Sequence, residues 1–415
     1  MKEFLSELDK TDIRSRITSL KGKRFSDLED INGFQYVDLV QEGGGVLGIA
    51  LVGYTYVLEE AGIRFISLAG TSAGAINTVM FAALGEINDR KSESVLNLIS
   101  RKNLLDLVDG SPIIKKLVQN FVRKKRGRIL FLILNAFKLY RIIKEKLGIN
   151  PGRDFQNWID QELEKAGVET ILDLMNLRKR LPSGLRHVGG QELGTVEAKT
   201  AIITSEITTH TKVEFPKMAE MYWSSPDDVR LSELVRASMS IPFFFEPLQV
   251  KNVPNDETTP TPTPNRSYKQ LWDDYASYHG PIPPAVKFVD GGMLSNFPID
   301  VFHRTDGKMP TRPTFGVRLS TYRGMFSSIK DLFGFSGAMI STMRQIHDYD
   351  FLMRNPDYRQ LICRVDADQE FNWLDFEMSG QDQIRLFVKG AQKAIEFLEQ
   401  FDWEAYKRLR AGLLV

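Results

Sequence analysis

The chain has 415 residues, of which 42% are hydrophobic and 26% are charged, and its formal net charge is +1. This composition is typical of a globular protein and excludes a disordered or fibrous chain. The single cysteine, Cys363, excludes a disulfide framework and a cysteine-based zinc site, and it fits a reducing compartment. We expect this cysteine to be a small buried side chain in a strand.

The sequence shows no secretion signal or membrane span. The N-terminal residues, MKEFLSELDKTD, carry acidic side chains where a signal peptide needs an apolar core. The longest apolar run, 129–134, is far shorter than the roughly 20 residues that a membrane-spanning helix requires. We therefore expect a cytoplasmic protein.

The first hundred residues predict a short extension followed by the start of the main domain. Residues 1–33 are polar and prone to form helices, and we place the main domain at 34–400. From residue 34 to about residue 106 the pattern alternates between two strands, FQYVDLV and FISLAG, and two helices, VLGIALVGYTYVLEEAG and SAGAINTVMFAALG. Such alternation predicts βαβ units and therefore an α/β fold with a mostly parallel central sheet.

A helical insertion is predicted over residues 107–190. Its part from 111 to 150 holds eleven basic residues and one acidic residue, so the rest of the chain is net acidic. Apolar pairs four residues apart predict an amphipathic helix there. A basic amphipathic helix is typical of a surface that binds anionic lipid, and a solvated helix packed on the protein fits these residues equally well. Nucleic acid is not expected as a partner, because no recognition motif accompanies the charge.

The second half of the chain contains four more strand patterns and a final helix. The strands are predicted at 198–208, 286–293, 313–319 and 359–365. Residues 251–285 form an excursion that includes PNDETTPTPTPN, a stretch that can bury little apolar surface. The final helix, DQIRLFVKGAQKAIEFLEQF, is amphipathic, and a short tail, 401–415, follows it.

The loop EGGGVLG after the first strand permits two functions. Gly43, Gly45 and Gly48 have the G-x-G-x-x-G spacing of a dinucleotide-binding turn, and they also suit a loop that presents backbone N–H groups to an oxyanion. A dinucleotide site needs an acidic residue at the end of the second strand, but residues 61–85 contain no Asp or Glu. Because side chains on Gly43, Gly44 and Gly45 would block a carbonyl oxygen from the amides, we predict an oxyanion hole.

The second strand runs into GTSAG, the G-x-S-x-G pattern of a nucleophile elbow. The small residues Gly70 and Gly74 permit a sharp turn between a strand and a helix. The start of the helix also places Ser72 near the positive end of the helix dipole, where negative charge is stabilised. Ser72 is therefore the predicted nucleophile.

A base for this serine is predicted at the end of a later strand, KFVD. Asp290, which two glycines follow, would lie at the same edge of the sheet as Ser72. An aspartate that only begins a turn fits the letters DGG as well. A histidine base also stays open from these residues, because a Ser–Asp–His hydrolase places its histidine after the acid, and His303 and His347 follow Asp290.

Together, these motifs resemble the patatin-like phospholipase family. The stretches VDLVQEGGGVLGIALVGYTYVLEEAGI, LAGTSAGAINTVMFAA and VDGGMLSNFPID match it in order and spacing. LSELVRASMSIPFFFEP and FNWLDFEMSGQDQIRLFVKGAQKAIEFL are similar to further parts of its members. The resemblance covers most of residues 34–400, and 107–190 and 251–285 match loosely.

The resemblance implies a three-layer α/β/α fold and hydrolysis of acyl esters in phospholipids, without calcium and through an acyl-enzyme. It implies Ser72 as the nucleophile and Asp290 as the general base of a Ser–Asp dyad that needs no histidine. Gly43, Gly44 and Gly45 would form the oxyanion hole, and no metal or cofactor is expected. The basic insertion would lie over the site and dock on an anionic membrane, which implies peripheral membrane association.

Three other functions stay open at this point. An α/β-hydrolase esterase would use Ser72, Asp290 and either His303 or His347 as a triad. A Rossmann-type nucleotide binder is disfavoured by the missing acidic residue. A membrane-recruitment protein without catalysis would keep the fold and use only the basic insertion.

Overall fold

The computed structural model describes residues 1–116, 137, 140–260, 266–321, 324, 329 and 332–413. The strands among them are β1 (Leu28–Glu29), β2 (Gln35–Gln41), β3 (Ile63–Thr71), β4 (Gly148–Asn150), β5 (Arg186–His187), β6 (Thr200–Glu206), β7 (Thr211–Phe215), β8 (Phe243–Phe245), β9 (Leu248–Lys251), β10 (Ala285–Asp290), β11 (Thr314–Arg318) and β12 (Ile362–Arg364). The helices are α1 (Lys2–Leu8), α2 (Ile13–Ser19), α3 (Ile49–Glu60), α4 (Ala73–Ala83), α5 (Ser92–Arg101), α6 (Arg153–Ala166), α7 (Ile171–Arg178), α8 (Leu231–Ser238), α9 (Tyr268–Ala276), α10 (Leu332–Arg354), α11 (Gly380–Gln400) and α12 (Trp403–Leu413).

The centre of the protein is a sheet with the strand order β12-β11-β2-β3-β6-β10-β9. The first five strands of this order pair in parallel, and β10 and β9 add antiparallel pairs at one side. Every residue of β3 is buried, as expected for a parallel strand with helices packed on its sheet. The predicted α/β fold with a mostly parallel central sheet is confirmed.

Strand β6 brings the ends of two other strands together. Its first part pairs in parallel with the end of β3, so that Thr71 lies opposite Ile203. Its second part pairs antiparallel with the end of β10, so that Asp290 lies opposite Thr204. Because β10 runs against β3, the C-terminal ends of these two strands meet at neighbouring residues of β6. The register thus places the residues after β3 beside the end of β10.

A close crossing of two helices holds α3, the helix that follows the glycine loop. A Cβ atom on Gly53 of α3 would lie 2.0 Å from the Phe387 carbonyl oxygen, and one on Gly390 of α11 would lie 2.0 Å from the Ala50 carbonyl oxygen. Both glycines are therefore required for the two backbones to approach this closely. The crossing positions α3, and through it the end of the glycine loop.

The chain ends pack on the same body. Phe4 of α1 is buried and makes an edge-to-face contact with Phe387 of α11, with ring centroids 5.7 Å apart. Within the segment predicted as a tail, residues 403–413 form α12, which buries Trp403 and Tyr406. Within the excursion 251–285, α9 buries Leu271 and Trp272.

The insertion is described in part, because residues 117–136 and 138–139 of its basic segment lie outside the described residues. Its later part forms α6 and α7, and β4 pairs in parallel with β8 in a second, two-stranded sheet. The buried Arg236 of α8 donates hydrogen bonds of 2.7 Å to the carbonyl oxygens of Pro151 and Glu246. These bonds attach the end of β4 to the helix that lies beneath the candidate site.

Candidate active site

Ser72 occupies the turn between β3 and α4. Its backbone has φ 53° and ψ −117°, a conformation that is unfavourable for a residue with a Cβ atom. The neighbouring glycines make the turn possible: a Cβ atom on Gly70 would lie 2.3 Å from the Gly74 carbonyl carbon, and one on Gly74 would lie 2.2 Å from the Gln41 carbonyl oxygen. The structure therefore has the strained strand-to-helix turn that the G-x-S-x-G pattern predicts.

Hydrogen bonds from two neighbouring segments hold this turn in place. The Ser72 N–H donates to Ser238 Oγ at 2.9 Å, and the Ser238 hydroxyl donates to the Ile203 carbonyl oxygen at 2.5 Å. The Thr71 hydroxyl donates to the Ser295 carbonyl oxygen at 2.9 Å. Both α8 and the loop after β10 thus restrain the serine, which favours a fixed side-chain position.

Asp290 lies at the end of β10 and lines the same cavity as Ser72. The glycine after it packs against β6, because a Cβ atom on Gly291 would lie 2.2 Å from the Ile203 carbonyl oxygen. The next glycine, Gly292, donates its N–H to Asp290 Oδ1 at 2.7 Å. The DGG motif thus brings the carboxylate to the sheet edge and orients it.

The surroundings of Asp290 change its acidity. Burial raises the pKa of this carboxyl group, and the charge of Arg344, the Ser72 hydroxyl and the Gly292 N–H each lower the pKa by a smaller amount. A buried carboxylate with a raised pKa accepts a proton more readily than an exposed one. The Ser72 hydroxyl lies close enough to stabilise the charged form of this base.

The glycine loop lines this cavity on the other side of Ser72. The Gly43 N–H donates to the Asn296 carbonyl oxygen at 3.0 Å, and a Cβ atom on Gly43 would lie 3.1 Å from the Cβ of Ser72. The N–H groups of Gly44 and Gly45 donate to no acceptor within the described part of the chain. The absence of a side chain on Gly43 thus allows the loop to lie close to Ser72. The N–H groups of Gly44 and Gly45 are available to bind an oxygen atom.

A buried carboxylate holds the glycine loop against β11. Glu42 accepts hydrogen bonds from the N–H groups of Leu319 and Ser320 at 2.6 and 2.9 Å, and it pairs with Arg318 at 3.3 Å. The side-chain amide of Asn296 also donates to Glu42, at 3.3 Å. The loop is therefore fixed by charge-assisted hydrogen bonds, which are stronger than bonds between neutral groups.

Helix α10 is tied to the loop after β10 by Asp348. This buried side chain accepts hydrogen bonds from the Phe297 N–H at 3.1 Å and from the Ser295 hydroxyl at 3.4 Å. Burial raises the pKa of Asp348 to about 8, although the charge of Arg318 opposes this shift. The carboxyl group is therefore mostly protonated at neutral pH.

Ser72 lies where two cavities of different character meet. The larger cavity, of about 420 Å³, is called the polar cavity here because its walls, although largely apolar, also carry the charged side chains of Asp290, Arg318 and Arg344. The smaller cavity, of about 70 Å³, is apolar, and its walls include Ile76, Trp158, Met239, Ile241 and Phe376. An ester held at Ser72 could therefore direct its acyl chain to one side and its polar alcohol to the other.

The histidines considered as a base lie elsewhere. None of the five lines either cavity that contains Ser72. His303 Nδ1 is hydrogen-bonded to the Tyr358 hydroxyl at 3.0 Å, and His347 Nε2 lies 3.8 Å from Asp300 Oδ2. Their contacts favour structural roles over proton transfer at Ser72.

The structure brings Ser72, Asp290 and the glycine loop together at one sheet edge. Sequence reasoning did not identify the residues that support them, which are Glu42, Ser238, Asn296, Arg344 and Asp348. Glu42 and Asn296 lie inside the motifs EGGGVLG and VDGGMLSNFPID, so the sequence could have indicated that they belong to the site. Arg344 and Asp348 lie on α10, a helix for which no motif had been identified.

Comparison with known proteins places the chain in a family. The family model "Patatin-like phospholipase" matches residues 39–303, more than half of the chain. The uncharacterized protein YqhO of Bacillus subtilis (strain 168) is 30% identical over 370 residues, which are 89% of this chain and 100% of that protein. The crystal structure of VipD from Legionella pneumophila is a distant likeness, with a TM-score of 0.40 and 14% identity over 91% of this chain and 70% of that one. The chain belongs to the patatin-like phospholipase family, whose members are lipid acyl hydrolases.

Proposed function

We propose that this protein hydrolyses acyl esters of membrane phospholipids through a dyad of Ser72 and Asp290, without calcium. The observation that carries the proposal is the meeting of these two residues in one cavity at the ends of β3 and β10. The serine is on a strained turn that exposes its hydroxyl to the cavity, and the carboxylate is buried beside it. This pairing of a nucleophile with a base of raised pKa is what acyl transfer requires.

In the first step, Asp290 accepts the hydroxyl proton of Ser72 while the serine oxygen attacks the ester carbonyl carbon. The tetrahedral intermediate carries its negative charge on the former carbonyl oxygen. The free N–H groups of Gly44 and Gly45 would donate hydrogen bonds to this oxygen, and such donors typically stabilise the transition state by ~2.7–4 kcal/mol each. Collapse breaks the bond to the alcohol, which takes the proton from Asp290 and leaves an acyl-serine.

In the second step, a water molecule gives a proton to Asp290 and attacks the acyl-serine. The same amides stabilise the second tetrahedral intermediate. Its collapse releases the fatty acid, and the proton returns from Asp290 to Ser72. The positions of His303 and His347, outside both cavities at Ser72, support a dyad over a triad.

We further propose that the protein docks on an anionic bilayer as a peripheral protein. Helix α10 presents large apolar side chains at spacings of three or four residues, and Phe335, Met339, Met343 and Ile346 are 43% to 63% exposed. From the basic insertion, Phe137 and Tyr140 are also exposed. Exposed apolar side chains on one helix face are typical of interfacial binding. Within the described part of the chain, no helix has the length and apolar character to cross a membrane.

Vesicle hydrolysis tests the catalytic proposal. Fatty-acid release from mixed phosphatidylglycerol and phosphatidylethanolamine vesicles is measured in the presence of a calcium chelator for the wild type, Ser72→Ala and Asp290→Asn. We expect release by the wild type and its loss in both variants, and retention in a His303→Gln, His347→Gln double variant. Equal release by the wild type and Ser72→Ala would rule out the dyad. Vesicle binding without release by the wild type would favour a recruitment protein.

Flotation with vesicles tests the docking proposal. We expect a Met339→Asp, Met343→Asp double variant to bind vesicles less than the wild type, because charged side chains resist transfer from water. Leu409→Asp on α12 is the matched control, since Leu409 is also exposed but lies on another helix. Equal loss of binding in the control, or no loss in the double variant, would contradict docking through α10.

A further inference from the structure

Arg344 has an unusual position in the polar cavity beside Ser72. It lies on α10, is half-buried, and lines the cavity together with Ser72 and Asp290. Its Nε lies 3.4 Å from the point that a Cβ atom on Gly292 would occupy. The guanidinium is therefore next to the loop that follows Asp290. Its positive charge reaches Asp290 and lowers the pKa of that carboxyl group.

The guanidinium of Arg344 makes no hydrogen bond and no ion pair within 4.0 Å with any of the described residues. Two other arginines near the site have partners within the protein: Arg318 pairs with Glu42, and Arg236 donates hydrogen bonds to backbone carbonyl oxygens. A half-buried guanidinium has lost part of its hydration and gains most from an anion that accepts two parallel hydrogen bonds. A phosphate group has this geometry.

The acidic groups of the cavity leave room for such an anion. Glu42 is engaged by the N–H groups at the end of β11. Asp368 accepts hydrogen bonds of 2.8 Å from the Thr321 N–H and hydroxyl. Asp348 is mostly uncharged at neutral pH, because burial raises its pKa to about 8. Within the described cavity wall, Asp290 is thus the carboxylate whose charge Arg344 mainly faces.

We propose that Arg344 binds the phosphate of the leaving alcohol, so that the site prefers glycerophosphate esters to neutral acylglycerols. The inference rests on the proposed function and adds the residue that recognises the phosphate of its substrate. The acyl chain would extend into the apolar cavity, the ester carbonyl would lie at Ser72, and the phosphate-bearing alcohol would occupy the polar cavity. The bond that breaks is the acyl C–O bond, the alcohol oxygen takes the proton from Asp290, and the phosphate ester stays intact.

A purely electrostatic role for Arg344 has a different signature. If the guanidinium acts only on Asp290, its removal raises the pKa of that base and lowers the rate for every ester equally at a given pH. If it also binds phosphate, its removal additionally raises KM for phosphate-bearing substrates, an effect that neutral esters do not show. Comparing two substrates with the same acyl chain separates these roles.

The test compares Arg344→Gln with the wild type on lysophosphatidylglycerol and on monoacylglycerol, both in neutral detergent micelles. We expect kcat/KM for the lysophospholipid to fall by roughly 10- to 100-fold, mainly through KM, as is typical for loss of a hydrogen bond to a charged group. Hydrolysis of monoacylglycerol should change little at a pH well above the acid limb of both proteins, where the higher pKa that Asp290 acquires without the Arg344 charge has no effect. Arg354→Gln is the matched control, since Arg354 lies on the same helix, is exposed, and pairs with Asp350 at 2.7 Å.

A binding measurement tests whether Arg344 binds phosphate without relying on catalysis. We expect sn-glycerol 3-phosphate to raise the thermal unfolding midpoint of the wild type and of Arg354→Gln, and to leave that of Arg344→Gln unchanged. No stabilisation of the wild type, or equal stabilisation of Arg344→Gln, would overturn the proposal. An equal fall in kcat/KM for both substrates, with the acid limb of the rate moved to higher pH, would overturn it as well. Failure of the dyad would appear separately, as hydrolysis that persists in Ser72→Ala.

Discussion

At the scale of single residues, the site depends on opposing effects on one carboxylate. Burial raises the pKa of Asp290, which makes it a stronger base, and Arg344 and the Ser72 hydroxyl limit that rise. Burial is the largest of these effects, so Asp290 binds a proton more readily than an exposed aspartate does. The Gly292 N–H donates a hydrogen bond to the same carboxylate at 2.7 Å and so fixes its orientation.

The raised pKa of Asp290 predicts the pH dependence of the reaction. In the proposed mechanism Asp290 acts as a base in its deprotonated form, so kcat should fall as the pH falls through a pKa that lies above the ordinary aspartate value of about 3.9. The measurement is kcat against pH with a short p-nitrophenyl ester, which does not itself titrate. The His303→Gln, His347→Gln double variant should keep the same acid limb. A limb that disappears in this variant would assign the base to histidine.

Asp348 predicts a pH dependence of stability. Because folded Asp348 holds a proton that the unfolded chain releases between about pH 4 and about pH 8, the contribution of Asp348 to the free energy of unfolding should fall as pH rises across this range. Asp348→Asn keeps an acceptor for the Phe297 N–H but has no proton to lose. Its thermal midpoint relative to the wild type should therefore rise between about pH 5 and about pH 9. A constant difference would show that Asp348 does not titrate in this way.

At the scale of secondary-structure elements, the position of the glycine loop depends on a helix from the other end of the chain. Helix α11 lies beyond the matched family region, 39–303, and it crosses α3 where Gly53 and Gly390 allow the backbones to touch. Helix α10, also beyond that region, supplies Arg344 to the polar cavity and Asp348 to the loop after β10. The later elements thus complete a site whose motifs all lie earlier in the chain.

The crossing predicts a specific sensitivity to added volume. Gly53→Ala would place a Cβ atom 2.0 Å from the Phe387 carbonyl oxygen, so the helices must separate. Overpacking of this kind typically lowers the free energy of unfolding by about 1–3 kcal/mol. Chemical denaturation of Gly53→Ala and of Gly380→Ala, whose Cβ would meet no atom within 4 Å, provides the comparison. If Gly53→Ala is as stable as the control, the crossing is looser than described.

At the scale of the whole molecule, the predictable parts of the fold were those with a strong local pattern. The apolar strands β2 and β3, the helices α3 and α4 and the final helix α11 have clear periodicity, and the structure has each within a few residues of its predicted bounds. The meeting of β3 with β10 on β6 is a matter of register between distant segments, which periodicity does not encode. The sequence pattern therefore indicated only that Asp290 ends a strand at the same sheet edge as Ser72, whereas the pairing of the two residues as a dyad followed from the family resemblance.

The supporting residues show the same limit. Glu42 and Asn296 bind each other across the sheet edge although 254 positions separate them in the chain, and no sequence pattern links them. Arg344 is one of many charged residues in the sequence, and only its position in the cavity distinguishes it. The hydrogen bond from the Gly43 N–H to the Asn296 carbonyl oxygen also could not be predicted, because nothing in the sequence distinguishes Gly43 from the two glycines that follow it.

The measurement that tests the central claim most directly is the trapping of the acyl-enzyme. A short p-nitrophenyl ester is mixed with the protein, the reaction is quenched with acid in the first turnover, and the modified peptide is identified by mass spectrometry. The proposed dyad predicts one acyl group on Ser72 of the wild type and none in Ser72→Ala, with slow acylation in Asp290→Asn. An acyl group on another residue, or turnover without any acylated peptide, would contradict it.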